Sequence, residues 1–288
     1  MVFIADYALQ SRWRALLLAA VSVSSLLFGW LGAAVVALIT LRKGISSGAW
    51  LVMWAVLPAA ALAYYTGDAS SLCLLLGSFT LATILRVTVS LPLTLIACIA
   101  VGVLVGLAMH LFAQTQIAAI SAGLEQTLAS LNAQLSGQGN QALVVPNALQ
   151  IAGMLGLFSA IGSLLCLLLA RFWQASLFNP GGFGDEFHAL RLSRGLAVGL
   201  LLTSVLLGAW QGGFSSWAML LLLPLHVAGL AVVHAYTRQA GRGGVWLLAF
   251  YLLWLLLEPV KLLIVLLALV DSWFDLRQRF KNTGGIAS

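Results

Sequence analysis

Apolar residues run through this chain in eight long stretches, at about 15–41, 49–65, 69–85, 91–112, 148–170, 195–211, 214–236 and 245–270. Several reach the ~20 residues that a helix needs to cross ~30 Å of hydrocarbon. The pattern predicts an all-α, polytopic transmembrane bundle, with residues 1–288 forming a single transmembrane domain. The first and last stretches are long and interrupted. Gly29 and Gly32 flank Trp30 in the first, and Glu258-Pro259 divides the last. Proline removes a backbone donor and breaks or kinks a helix. Each of these two stretches is therefore expected to fold as a hairpin of two short helices.

Residues 113–147 break the apolar pattern. They are rich in Gln, Ser and Asn, and within them Ile117, Ile120, Leu124, Leu128, Leu131 and Leu135 recur at spacings of three and four. That is one face of an amphipathic helix. It is expected to lie outside the membrane and to end in the loop Ser136-Gly137-Gln138-Gly139-Asn140. Two roles fit it: a connector resting on the bundle, or a lid over a site that opens outward.

Composition supports the membrane reading. Hydrophobic residues make up 62% of the 288 and charged residues only 8%, against about 25% in soluble domains. The net charge of +6 does not point to nucleic acid, because the basic residues sit singly or in pairs between apolar runs. They act instead as topology signals. With the two hairpins, every Arg and Lys except Lys261 falls on one side, which the positive-inside rule makes cytoplasmic. The opposite loops carry only Asp68 and Glu125. The expected location is a bacterial-type inner membrane with both termini cytoplasmic, a cytoplasmic loop at 172–194 and a tail at 271–288. The half-helices of such hairpins, ~13–15 residues each, rise only ~20 Å. They would be tilted, re-entrant or buried against protein. Arg12 and Arg14 before an apolar run resemble a signal peptide, but the apolar pattern continues to residue 270, and an uncleaved anchor is expected.

Polar groups at membrane depth are where chemistry is sought first. Glu258 and Lys261, three apart on one helix face, are either a self-neutralising pair at a helix break or a binding and coupling site in an unwound segment. Trp254, Tyr251 and Trp210 are aromatics that such a site would use. His226 and His234 lie two turns apart, too far to share a metal ion, and both are expected to be satisfied within the structure, as is His110. No metal or cofactor is expected. Cys73, Cys98 and Cys166 read as small core residues.

The loop Asn179-Pro180-Gly181-Gly182-Phe183-Gly184-Asp185-Glu186-Phe187-His188 reads as a turn and a short interfacial helix, or as a docking surface for a cytoplasmic partner. Phe183, Phe187 and Leu190 are expected to face the membrane, with Arg191 and Arg194 on lipid phosphates. After Asp271, Trp273 and Phe274 are expected at headgroup level with arginines beyond. Small-xxx-small ridges at Ala15/Ala19, Ala33/Ala37, Cys98/Gly102/Gly106 and Gly156/Ala160 predict close helix approach. The chain contains no HExxH, GxSxG, Walker A or paired intramembrane aspartates, so no enzyme is expected and no catalytic residue is assigned.

Leu41-Arg42-Lys43-Gly44, Asn179 to Phe183 with Glu186-Phe187, and the closing Leu269-Val270-Asp271-Ser272-Trp273-Phe274-Asp275-Leu276-Arg277 resemble the YybS-like family of bacterial membrane proteins. That family is grouped with the substrate-binding S components of energy-coupling-factor transporters. The resemblance implies capture of a small nutrient from outside. Transfer inward would use a transmembrane coupling subunit and paired ATPases, with Ala15 and Ala19 as a contact for the coupling subunit. S components usually have six helices, fewer than expected here. The alternatives are a membrane scaffold or assembly factor working through its basic face, and proton-coupled transport through Glu258.

Overall fold

The structure, a computed structural model, describes residues 2–135, 143–210, 212–241 and 243–278. Among them every regular element is a helix: α1 (Val2–Gln10), α2 (Arg12–Val23), α3 (Gly29–Lys43), α4 (Ile45–Thr66), α5 (Ser70–Thr88), α6 (Leu91–Phe112), α7 (Gln114–Leu135), α8 (Ala148–Phe178), α9 (Gly182–His188), α10 (Arg194–Ala209), α11 (Ser215–Gln239), α12 (Gly244–Leu256) and α13 (Glu258–Phe274). The expected loop at 136–140, Arg242, and the tail from Arg279 onward lie outside the described residues.

The count of membrane-crossing units is lower than the eight expected. Among the described residues five helices, α4, α5, α6, α8 and α11, are long and apolar enough to cross, and a sixth is added if α12 and α13 count as one broken span. The difference arises because α10 has only 16 residues, while the first and last stretches each divide in two. α12 and α13 are bent by 112° at Leu257. The first stretch breaks at residues 24–28, and α3 folds back on α2. Gly32 makes this return possible, because a Cβ there would lie 2.9 Å from the Ala19 carbonyl oxygen and 2.7 Å from Val23. Only a residue without a side chain lets two backbones approach so closely.

A second close approach joins α6 to α8. A Cβ on Gly106 would lie 2.9 Å from the Ala152 carbonyl, and one on Gly156 would lie 3.1 Å from the Gly106 nitrogen. Cys98 donates to the Ala160 carbonyl at 3.2 Å, and Cys166 to the Trp30 carbonyl at 3.3 Å. The predicted small-residue ridges of α6 and α8 thus meet one another. Ala15 and Ala19 are buried inside the chain. In this conformation they offer no surface to a coupling subunit, contrary to the expectation.

Named contacts place every described Arg and Lys except Lys261 at one end of the bundle. Arg86 donates to the Thr40 and Leu41 carbonyls, covering the last turn of α3. Arg42 lies 3.8 Å from the centre of the Phe178 ring. Arg171 pairs with Glu186, Arg238 with Asp185 at 2.5 Å, and Arg191 with Asp275 at 2.7 Å. Arg12 sits over Trp50 at the start of α4. Arg191 also donates to the Ser272 carbonyl and Arg194 to that of Trp273. Both arginines therefore bind the C-terminal segment, a partner within the chain where lipid phosphate was expected. Leu190 is buried, and Phe187 packs edge-on against His234 at 5.6 Å. The loop aromatic residues turn toward α11.

The centre of this end is Asp271 with Arg277. Asp271 is 1% exposed and Arg277 8%. Their charged groups are 3.4 Å apart, and Arg277 also donates to the His188 carbonyl at 2.5 Å. Asp275 takes a left-handed turn (φ 46°) that returns the chain so that Arg277 can reach Asp271. Removing one partner of a buried pair strands the other charge, at a cost of about 3–5 kcal/mol. Asp271→Ala should therefore lower the melting temperature sharply in detergent. The Asp271→Leu/Arg277→Met double variant should recover most of the loss, and failure to recover would show that the pair fixes the fold in some other way.

His188, outside the membrane helices, has its pKa held below the ordinary 6.5. Burial is the main cause, followed by the nearby charges of Arg238, His234 and Arg277, opposed by Asp185. Its Nδ1 lies 3.1 Å from the Arg238 guanidinium, as suits a neutral ring. Because the folded pKa is lowered, the stabilisation is present above about pH 6.5 and is lost as pH falls below it. Melting temperature should decline between pH 7.5 and 5.5, and His188→Gln should make that decline shallower.

Candidate functional site

At the far end, opposite the arginines, a cleft of about 340 Å³ opens between three helices. Its lining is His110 from the last turn of α6, Gln114, Ile117, Ala118 and Ser121 from α7, and Ala148 at the first residue of α8. The four α7 residues follow the spacing i, i+3, i+4, i+7, which is one face of a helix. α7 therefore covers the cleft along its length.

Local sequence explains how α7 is held. Ala113 is the single residue between α6 and α7, so the two helices share a tight corner. The apolar stripe then lies against the bundle as the spacing predicts. Ile117 is buried, and Ile120 and Leu124 pack on the core, while Leu131 is 39% exposed. The Leu135 side chain lies outside the description. The Asn132 side chain exchanges two hydrogen bonds with the Leu143 backbone, at 2.8 and 3.0 Å. This latch ties the end of α7 to the strand of chain returning toward α8. Asn147 then starts α8 with a reciprocal capping box to Gln150, which fixes the Ala148 wall.

His110 gives the cleft its chemical character. Its Nδ1 is fully buried and has no hydrogen-bond partner among the described residues. A buried polar atom without a partner costs roughly 1–3 kcal/mol, and such atoms call for an explanation in ligand or water binding. Gln114 and Ser121 offer further donors and acceptors. The pattern suits a small polar ligand that completes the histidine's bonding. Sequence reading placed His110 among satisfied histidines. The signal that could have separated it was its position immediately before the polar face of α7.

The charged pair expected to mark a site stands elsewhere. Lys261 donates to Glu258 at 2.5 Å, with Glu258 82% exposed and Lys261 31%. They sit at the break between α12 and α13, and neither lines the far-end cleft. Trp254 packs edge-on against Tyr251, and its indole N–H is buried without a partner among the described residues. Tyr251 in turn shares a 2.7 Å hydrogen bond with His234. Trp210 is mostly exposed. His226 meets the Leu222 carbonyl at 3.1 Å, a bond within its own helix. Among the described residues no group of three or more His, Cys, Asp or Glu is placed to hold a metal ion.

No family model matches the chain, and no curated protein or solved structure matches it either.

His110→Leu should leave the melting temperature unchanged or slightly raised, because it removes an unpaired buried polar atom and keeps an apolar side chain of similar size. A large loss of stability would show that His110 is already satisfied, and the cleft would lose its claim to a ligand.

Proposed function

We propose that this chain is a multi-pass protein of a bacterial-type inner membrane that captures a small polar molecule in the cleft under α7. The basic end faces the cytoplasm, as the positive-inside rule requires of so one-sided a charge distribution. The cleft then opens to the outside, with α7 as its lid. The observation that carries this reading is a cleft of about 340 Å³ under α7, a volume within the range of ligand pockets, ~300–1,000 Å³, lined in part by a histidine whose Nδ1 has no partner among the described residues.

This arrangement agrees with the resemblance to the YybS-like family and to S components, which take a ligand from outside. Transport would then need a separate coupling subunit with ATPases, because no nucleotide-binding motif is present in the sequence. Ala15 and Ala19 cannot serve that contact while buried. Phe183 and Phe187, half-buried at the basic end, remain the docking candidates of the 172–194 loop.

A specific observation favours a second reading, a scaffold or assembly factor. None of the thirteen residues of α12 is buried, and Glu258 projects from the same helix pair. That surface suits a protein partner in the membrane plane. Proton coupling through Glu258 is a third and smaller alternative, which uptake unchanged by Glu258→Gln would remove.

Native mass spectrometry of the purified protein separates the readings. A co-purified small molecule should be present and should be lost on Ala118→Trp, which fills the cleft, while the narrow, low charge-state distribution of the bare chain stays that of a folded protein. Retention of the molecule in that variant would place binding elsewhere. A stable protein partner without any small molecule would favour the scaffold.

A further inference from the structure

A second cleft, of about 240 Å³, lies at the basic end between α2, α3 and α4. Arg12, Lys43, Ser46 and Ser47 supply its polar lining, and Trp50 with Ala15, Ile39 and Leu51 the apolar part. We propose that this cleft binds an anionic phosphate group, and that the phosphate is the headgroup of an inner-leaflet phospholipid or a free phosphate anion of the cytoplasm.

Charge accounting leads to this conclusion. The other cations at this end are occupied. Arg171, Arg191, Arg238 and Arg277 each have a carboxylate. Arg86 is bound by carbonyls, and Arg42 lies over Phe178. Arg14 is held by Gln10 and the Tyr7 ring. By contrast Lys43 has no ion-pair or side-chain hydrogen-bond partner among the described residues. Arg12 has no carboxylate there either, and its guanidinium rests 5.8 Å from the centre of the Trp50 ring. Arg12 and Lys43 therefore converge on one concave space without a carboxylate or carbonyl partner among the described residues, and no acidic residue lines it.

The rest of the lining fits the same ligand. α4 begins after Gly44, whose φ of 109° turns the chain sharply and leaves no side-chain cap on the helix. The free amides of a first turn and the positive end of a 22-residue helix then add to the two cations. Ser46 Oγ is available as a donor, and Ser47 Oγ reaches the Lys43 carbonyl at 3.4 Å. Trp50 stands at the boundary level where indoles settle. Trp50 also gives glycerol or the start of an acyl chain an apolar wall, with the buried Ala15, Ile39 and Leu51 packed behind it.

The test uses the full-length protein stripped of lipid in neutral detergent. Melting temperature and native mass spectra are recorded with phosphatidylglycerol, with phosphatidylcholine, and with inorganic phosphate alone. The Arg12→Gln/Lys43→Gln double variant is compared with Arg42→Gln, a cation of the same end outside the cleft. The expected result is one anionic lipid or one phosphate retained per chain, weakened at least about tenfold in the double variant and unchanged in Arg42→Gln, since each charge-assisted bond lost costs roughly that factor. Added salt should weaken it as well. Protection by phosphatidylglycerol but not phosphate assigns the site to the lipid headgroup, and protection by phosphate alone assigns it to the soluble anion. Equal losses in Arg42→Gln and the double variant, or no retention of either ligand, would overturn the proposal. The melting temperature of each variant without ligand shows whether it still folds.

Discussion

The constraint on which this fold rests is that a charged side chain cannot stay among lipid tails without a partner. Burying a charge at mid-bilayer costs at least ~2.5–3.5 kcal/mol, so the arginines gather where water, carboxylates and carbonyls are available. Every ion pair among the described residues except Lys261–Glu258 lies at one end of the bundle. Chain path follows from this. Arg12 and Lys43 flank the first apolar stretch, and both must reach the same end, so α2 and α3 fold back at 24–28. Gln239 and Arg277 similarly bracket the last stretch, and the Gln239 side chain meets the Arg277 carbonyl at 3.5 Å. α12 and α13 leave that end and return to it.

Once charge has fixed the path, small residues determine how tightly the helices can close. α3 and α8 run parallel in constant register. Cys166 meets Trp30, and twelve residues later Phe178 meets Arg42. α6 descends along α8 on Gly102, Gly106 and Gly156, where backbone touches backbone. In lipid no hydrophobic gain drives helices together, so packing of this kind, with hydrogen bonds such as Cys98 to Ala160, holds the bundle. The α12 helix lacks small residues on a shared face, and none of its side chains is buried.

Much of this could be read from residue order alone, and the reasons are physical. Hairpins in the first and last stretches followed from charge placement, and the α7 stripe from a spacing of three and four. The ridges of Cys98, Gly102 and Gly106 and of Gly156 and Ala160 were visible too, although not that they would meet each other. These are local patterns. Pairings across the fold were not legible. Nothing near Arg191 in sequence announces Asp275, and nothing near Asp271 shows that it would be 1% exposed while Trp273, two residues on, is 40% exposed. The first helix, Val2–Gln10, was also missed, because its buried Ala5 and Ala8 are too few to mark a face. His110 was misjudged for the same reason. Whether a histidine is satisfied depends on which neighbours arrive, and here none of the described ones does.

Helix lengths explain why the far-end cleft suits a water-borne ligand better than a lipid. Gly77 of α5 abuts Ser163 of α8, and both helices start at the far end. α5 begins seven residues before that contact and α8 fifteen before it. At 1.5 Å per residue, α8 therefore rises about 12 Å beyond the end of α5. Ala148, at the top of α8, and His110 beside it stand on that raised edge, and α7 lies across them. A space this far beyond the neighbouring helix is reached from the headgroup and water side, where a polar ligand arrives already hydrated. The cleft proposed above to take a polar ligand is bounded by the buried Ile117, and the Asn132 latch holds the far end of the helix that covers it. α7 is thus fixed at its two ends, by the corner at Ala113 and by the Asn132–Leu143 bonds, and neither of these belongs to the close-packed α6–α8 seam.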